Sequence, residues 1–142
     1  MPTINPYLNF NGDCEAAMEF YRSVFGGDFS TFSRFSDADT GMPVADDEKN
    51  HILHASLPVG DHFVIMASDC PSSFGKVSQG DSYSISVGAD SEEEATRIFN
   101  GLSQGGVVKM PLQKTFWGAF FGMWVDKFGV SWMVNYDYPQ EG

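Results

Sequence analysis

Apolar and polar residues alternate with a period of two from Ile4 to Phe10, and Pro6 near the start suits the opening of a strand. Past Asn11-Gly12-Asp13, a turn with an N-cap candidate, the apolar residues Ala17, Phe20, Tyr21, Val24 and Phe25 recur at spacings of three and four. That period predicts a helix of about three turns. Gly26-Gly27 ends it, because glycine takes the left-handed conformation without a Cβ clash. A strand is predicted over 28–35, and strands over 51–57 and 61–68 are joined at Pro58-Val59-Gly60, which reads as a tight hairpin. Residues 36–50, with Asp37, Asp39, Asp46, Asp47 and Glu48 and little apolar content, are predicted to form an exposed loop. These acids lack the alternate spacing and bend glycine of a calcium loop.

Residues 70–81 show no periodicity and read as a linker, after which the order of elements begins again. A strand over 83–87 precedes Asp90-Ser91-Glu92-Glu93, which supplies caps and favourable dipole charge for a helix burying Ala95, Ile98, Phe99 and Leu102. Gly105-Gly106 closes this helix, and strands over 107–112, 119–126 and 130–136 follow. Ala17, Phe20, Tyr21 and Val24 match the second helix at a constant offset of 78, whereas Leu8 and Phe10 match Ile85 and Val87 at 77. The difference places one extra residue in the Asn11-Gly12 turn, and Gly60 corresponds to Gly129 in the closing hairpins.

Each half is therefore a βαβββ module, about 1–69 and 82–138, within one α+β domain. A four-stranded sheet with one helix leaves a face uncovered, so two modules side by side predict a curved mixed sheet with helices outside and a concave cleft within.

Length and charge narrow the function classes. A chain of 142 residues suits one domain with a real core. Eight Lys and Arg against nineteen Asp and Glu give a net charge of −11, which repels phosphate backbones and anionic membrane surfaces, so neither nucleic acid nor a membrane is an expected partner. Cys14 and Cys70 form no CxxC pair, and with no basic, apolar leader the expected compartment is the cytoplasm.

Several motifs carry a resemblance. Paired βαβββ modules, with Phe20-Tyr21 near the end of the first helix and Asp126-Lys127-Phe128-Gly129 before the last strand, resemble the vicinal oxygen chelate superfamily of glyoxalase I, bleomycin-resistance proteins and extradiol dioxygenases. Asn5 to Gly12, Met66-Ala67-Ser68-Asp69, Met110-Pro111-Leu112-Gln113 and Phe116-Trp117-Gly118 resemble its PhnB-like branch. That branch has been labelled a demethylubiquinone methyltransferase, which implies an S-adenosylmethionine site. The Gly pairs at 26–27 and 105–106 end helices, whereas a Gly-rich nucleotide loop begins one.

The resemblance implies metal ligands, His and Glu in many members, on the first and last strand of each module. Asn5 and Ser82 stand at the first-strand positions, Met133 at the last, and Val64 or Met66 at its counterpart. Amide, hydroxyl and apolar groups lack the charge for a catalytic metal, so neither a metal nor another cofactor is expected.

The expected cleft face instead offers Tyr7 and Asn9 on the first strand, Ser84 and Ser86 on its counterpart, and His54 with Ser56 on one face of the third. His54 is the candidate catalytic base or hydrogen-bond partner; a core histidine bonded to Ser56 is the alternative. His51 and His62 read as surface residues, and Cys14 and Cys70 as structural thiols. Among Phe116, Trp117, Phe120, Phe121, Trp124 and Trp132, Trp117 beside Gly118 is the residue placed to stack on a planar ligand or to contact a second copy. Tyr7, Asn9, His54, Ser84 and Trp117 are thus the candidate contacts for a small molecule in a homodimer. A metal-dependent enzyme centred on His54 and a structural or regulatory dimer without a ligand are the alternatives.

Overall fold

The computed structural model describes residues 2–140, which form two compact units divided after Ser78. The first contains β1 (Tyr7–Phe10), α1 (Cys14–Phe25), β2 (Thr31–Arg34), β3 (Ile52–Val59) and β4 (Phe63–Asp69). The second contains β5 (Ile85–Gly88), α2 (Glu92–Leu102), β6 (Val107–Lys114), β7 (Ala119–Val125) and β8 (Ser131–Asp137). Each is a four-stranded mixed sheet, ordered β1-β4-β3-β2 and β5-β8-β7-β6, in which the first pair is parallel and the others antiparallel. The architecture is α+β. No helix among the described residues is long and apolar enough to cross a membrane.

The parallel pairing decides which side chains face the helix. Leu8 and Phe10 lie opposite Ala67 and Asp69, and these four are buried with Ala55 and Leu57 of β3 beneath α1. In the second unit Ile85 and Val87 lie opposite Trp132 and Val134, so the 77-residue offset holds in the strands. Ala95, Ile98, Phe99 and Leu102 form the buried face of α2 as expected. Phe99 presents its edge to Trp124 at 5.2 Å, and Trp124 stacks on Trp132 at 6.4 Å. These two tryptophans are core.

The first helix differs from expectation. Its fully buried residues are Cys14, Ala17, Met18 and Tyr21, while Phe20, Val24 and Phe25 are half-buried. Its N-terminus also departs from the expected capping. Asp13 occupies the cap position but makes no side-chain cap bond. The buried Asp69 at the end of β4 accepts from Gly12 N at 2.8 Å, Cys14 N at 3.0 Å and Ile52 N at 2.9 Å. A strand carboxylate thus satisfies donors at the helix start that would otherwise be orphaned. In α2 the Ser91 hydroxyl accepts from Glu94 N in the ordinary way.

Three strand boundaries also change. β1 begins at Tyr7 and not Ile4, because the Asn5 carboxamide oxygen accepts the Val64 N–H at 3.1 Å in place of a backbone ladder bond. β3 runs through Pro58 and Val59, so the turn is Gly60 to His62. Pro58 is tolerated there because the β2 ladder stops at Ser56 and no partner awaits its missing N–H. β5 begins at Ile85, leaving Tyr83 and Ser84 before the strand. The loop over 36–50 holds short 3-10 turns at its start and at Asp46–Glu48, and the segment after β4 holds another at Ser72–Phe74.

Candidate functional site

With Leu8, Phe10, Ala55, Leu57, Ile65 and Ala67 under α1, strand alternation sends their neighbours to the helix-free face of the first sheet. Register places Tyr7 and Asn9 of β1, Thr31 and Ser33 of β2, His54 and Ser56 of β3, and Val64, Met66 and Ser68 of β4 on that face. At its centre is a continuous side-chain row. The Tyr7 hydroxyl is hydrogen bonded to His54 Nδ1 at 3.0 Å, and His54 Nε2 to the Ser56 hydroxyl at 2.9 Å. The Tyr7 and His54 rings stack with centroids 5.6 Å apart.

The row is graded in exposure. Ser56 is 7% exposed, whereas Tyr7 is 43% exposed. The imidazole is held at both nitrogens between a buried hydroxyl and one at the surface, which fixes its orientation and leaves Tyr7 as the exposed end of the row. Sequence reasoning brought His54 and Ser56 to one face. It missed the bond to Tyr7, 47 residues away, because only the pairing of β1 with β4 and β4 with β3 brings them together.

The other expected contacts are divided between the two units. Asn9 shares the face of Tyr7. Ser84, in the second unit, lines a recess of about 210 Å³ with Asp81, Lys109, Met123 and Ser131. Trp117, 54% exposed, sits at the tip of the β6–β7 hairpin, packed edge-on against Phe116 at 5.0 Å and Phe121 at 6.0 Å. His51 lies against Gly12 and His62 is in the exposed turn after β3.

The donors at the expected metal-ligand positions do not fit a divalent metal. Asn5 already accepts from the backbone of β4. The pairing of Asn9 with Ser68 and of Ser86 with Met133 makes Ser68, and not Val64 or Met66, the counterpart of Met133. Carboxamide, hydroxyl and thioether bring no negative charge to a hard cation. Among the described residues no three His, Cys, Asp or Glu side chains are grouped to hold a metal ion.

Neither cysteine is placed as a nucleophile. Burial pushes the Cys14 thiol far above its ordinary pKa, and Asp69, Asp13 and Glu15 push it the same way. Cys70 is half-buried with its sulfur directed at the carbonyls of Pro71 and Gly75, 3.7 and 3.8 Å away. The strand-to-helix turn offers no open glycine loop either, since the N–H of Gly12 is committed to Asp69.

A family model described as 3-demethylubiquinone-9 3-methyltransferase matches residues 2–135. The protein YjdN of Escherichia coli K12 is 30% identical over 93% of both chains. The structure of protein PA1353 from Pseudomonas aeruginosa is 44% identical with a TM-score of 0.85, covering 96% of this chain and 98% of that one. The PhnB protein from Bacillus cereus is 28% identical with a TM-score of 0.74, covering 95% of this chain and 99% of that one. Below 25% identity, solved structures described as a glyoxalase/bleomycin resistance protein/dioxygenase family enzyme from Burkholderia phytofirmans PsJN and a glyoxalase-related enzyme from Fulvimarina pelagi share the fold.

Proposed function

Since the chain belongs to the PhnB-like 3-demethylubiquinone-9 3-methyltransferase family, with the glyoxalase/bleomycin resistance fold, we propose that it binds a small organic molecule without a catalytic metal. The observation that carries this reading is the row Ser56–His54–Tyr7, a fixed polar end on an otherwise neutral sheet face with Met66 and Val64 beside it. Polar groups held in a fixed orientation beside apolar ones can orient a small ligand. Methyl transfer finds no support in these residues, because the βα turn that would receive part of S-adenosylmethionine is closed by Asp69.

The test is a thermal-shift panel of planar carboxylates, carbonyl compounds, phenols, amines and divalent metals, since a ligand that binds only the folded state raises Tm. At least one organic compound is expected to raise Tm in the wild type and to lose that effect in His54→Ala. A rise produced only by metals, or one indifferent to His54→Ala and Tyr7→Phe, sinks the reading. The homodimer and the cytoplasmic compartment belong to the same proposal. Trp117→Ala separates the two uses of that side chain: losing the ligand response assigns it to binding, and losing the dimer in sedimentation assigns it to contact between copies.

A further inference from the structure

We infer that Tyr7 sets ligand specificity on this face as a hydroxyl whose hydrogen-bonding sense is governed by the charge of His54. The inference rests on the binding reading above and deepens it to a ligand class: small molecules bearing an anionic oxygen, such as carboxylates.

The sense of each hydrogen bond in the row is set by the number of donors on the ring. A neutral imidazole has one N–H and one lone pair, so its two hydroxyl partners adapt in opposite senses. With the proton on Nε2, the ring donates to Ser56 and accepts the Tyr7 O–H, and Tyr7 shows only lone pairs to solvent. With the proton on Nδ1, Tyr7 accepts from the ring and turns its own O–H outward. Once the ring is an imidazolium both nitrogens donate, and Tyr7 must accept from Nδ1 and direct its proton outward.

Charge acts in the same direction. The groups facing His54 from the neighbouring strands are Tyr7 and Asn9 of β1, Thr31 and Ser33 of β2, and Val64, Met66 and Ser68 of β4, with Ser56 on its own strand; none is charged. Arg34 of β2 is engaged on the other side, by Glu15 of α1 at 2.8 Å. Protonating His54 therefore turns a neutral face into one with a single positive charge and an outward donor at Tyr7. An acceptor that is also an anion gains from both, and a cationic donor loses from both. An anion of this kind favours the protonated ring, so its binding is linked to proton uptake and is expected to be tighter at low pH than at high pH.

Benzoate and benzamidine are the probes, two planar molecules of one shape and opposite charge. Their dissociation constants are measured by NMR on the full chain at about pH 5 and about pH 8, on either side of the range where histidine changes charge. Benzoate is expected to bind about tenfold more tightly at the lower pH, the factor one charge-assisted hydrogen bond supplies, with shifts at His54 and Tyr7; benzamidine is expected to do the reverse or not to bind. His54→Gln keeps an amide donor and acceptor but does not titrate, so it removes the pH dependence, and Tyr7→Phe weakens benzoate mainly at low pH. Equal benzoate affinity at both pH values overturns the specificity role while leaving small-molecule binding intact. Absence of any benzoate-induced shift at Tyr7 and His54 at either pH also overturns it, and the wider ligand panel then decides the binding reading separately.

Discussion

Replacing Asp69 with alanine removes the group that joins α1, β3 and β4 at one point. Three N–H donors lose their acceptor, those of Gly12, Cys14 and Ile52, and the bonds from Cys14 and Ile52 are buried. A buried donor left unpaired costs about 1–3 kcal/mol, so two of them cost about 4 kcal/mol together. That is a large share of the roughly 5–15 kcal/mol by which a domain is stable. At about 3 °C per kcal/mol for a chain of this size, Tm falls by about 12 °C. Asp69→Asn discriminates the mechanism from simple loss of volume. One amide oxygen can still accept from Gly12 and Cys14, but its NH₂ then confronts the Ile52 N–H, donor against donor, so about half of the loss returns. The assay is thermal unfolding followed by far-UV circular dichroism, because Trp117, Trp124 and Trp132 all lie in the second unit and their fluorescence does not report directly on the first. Hydrogen exchange at Gly12, Cys14 and Ile52 localises the effect. A loss in Asp69→Ala below about 1 kcal/mol, or an Asn variant as damaged as the Ala variant, refutes the argument.

Three further outcomes follow from burial and backbone geometry. Thiol reagents are expected to modify Cys70 in the native protein and Cys14 only after unfolding; two fast equivalents would contradict the burial of Cys14. Because the Cys14 thiol pKa is raised by folding, its stabilising contribution is whole below the ordinary thiol pKa of about 8.5 and declines as pH rises beyond it. Cys14→Ala should therefore flatten the alkaline loss of stability seen in denaturant titrations. Among glycines, substitution by alanine should rank Gly106 worst, since its Cβ would stand 2.1 Å from the Val125 carbonyl oxygen, then Gly122, whose Cβ would meet the Phe99 ring at 2.8 Å. Gly60 has open space and only its φ of 64° to forfeit, a cost of about 1 kcal/mol, so equal melting temperatures across the three variants would deny these close approaches.

What the sequence by itself determined was the modular plan. Both helices, the offset of 77 in the first strands, and the α2 face of Ala95, Ile98, Phe99 and Leu102 are written in spacings of two, three and four residues, which act within a single turn or strand. His54 and Ser56 share a face for the same local reason. The tertiary structure alone decided where the buried polar groups are satisfied. Asp69 caps a helix 55 residues away, Asn5 closes a ladder with Val64, and Tyr7 reaches His54. Such partners follow from the parallel register of β1 on β4, which no local period specifies: many registers satisfy the same alternation, and only the joint packing of helix, strands and buried donors selects one.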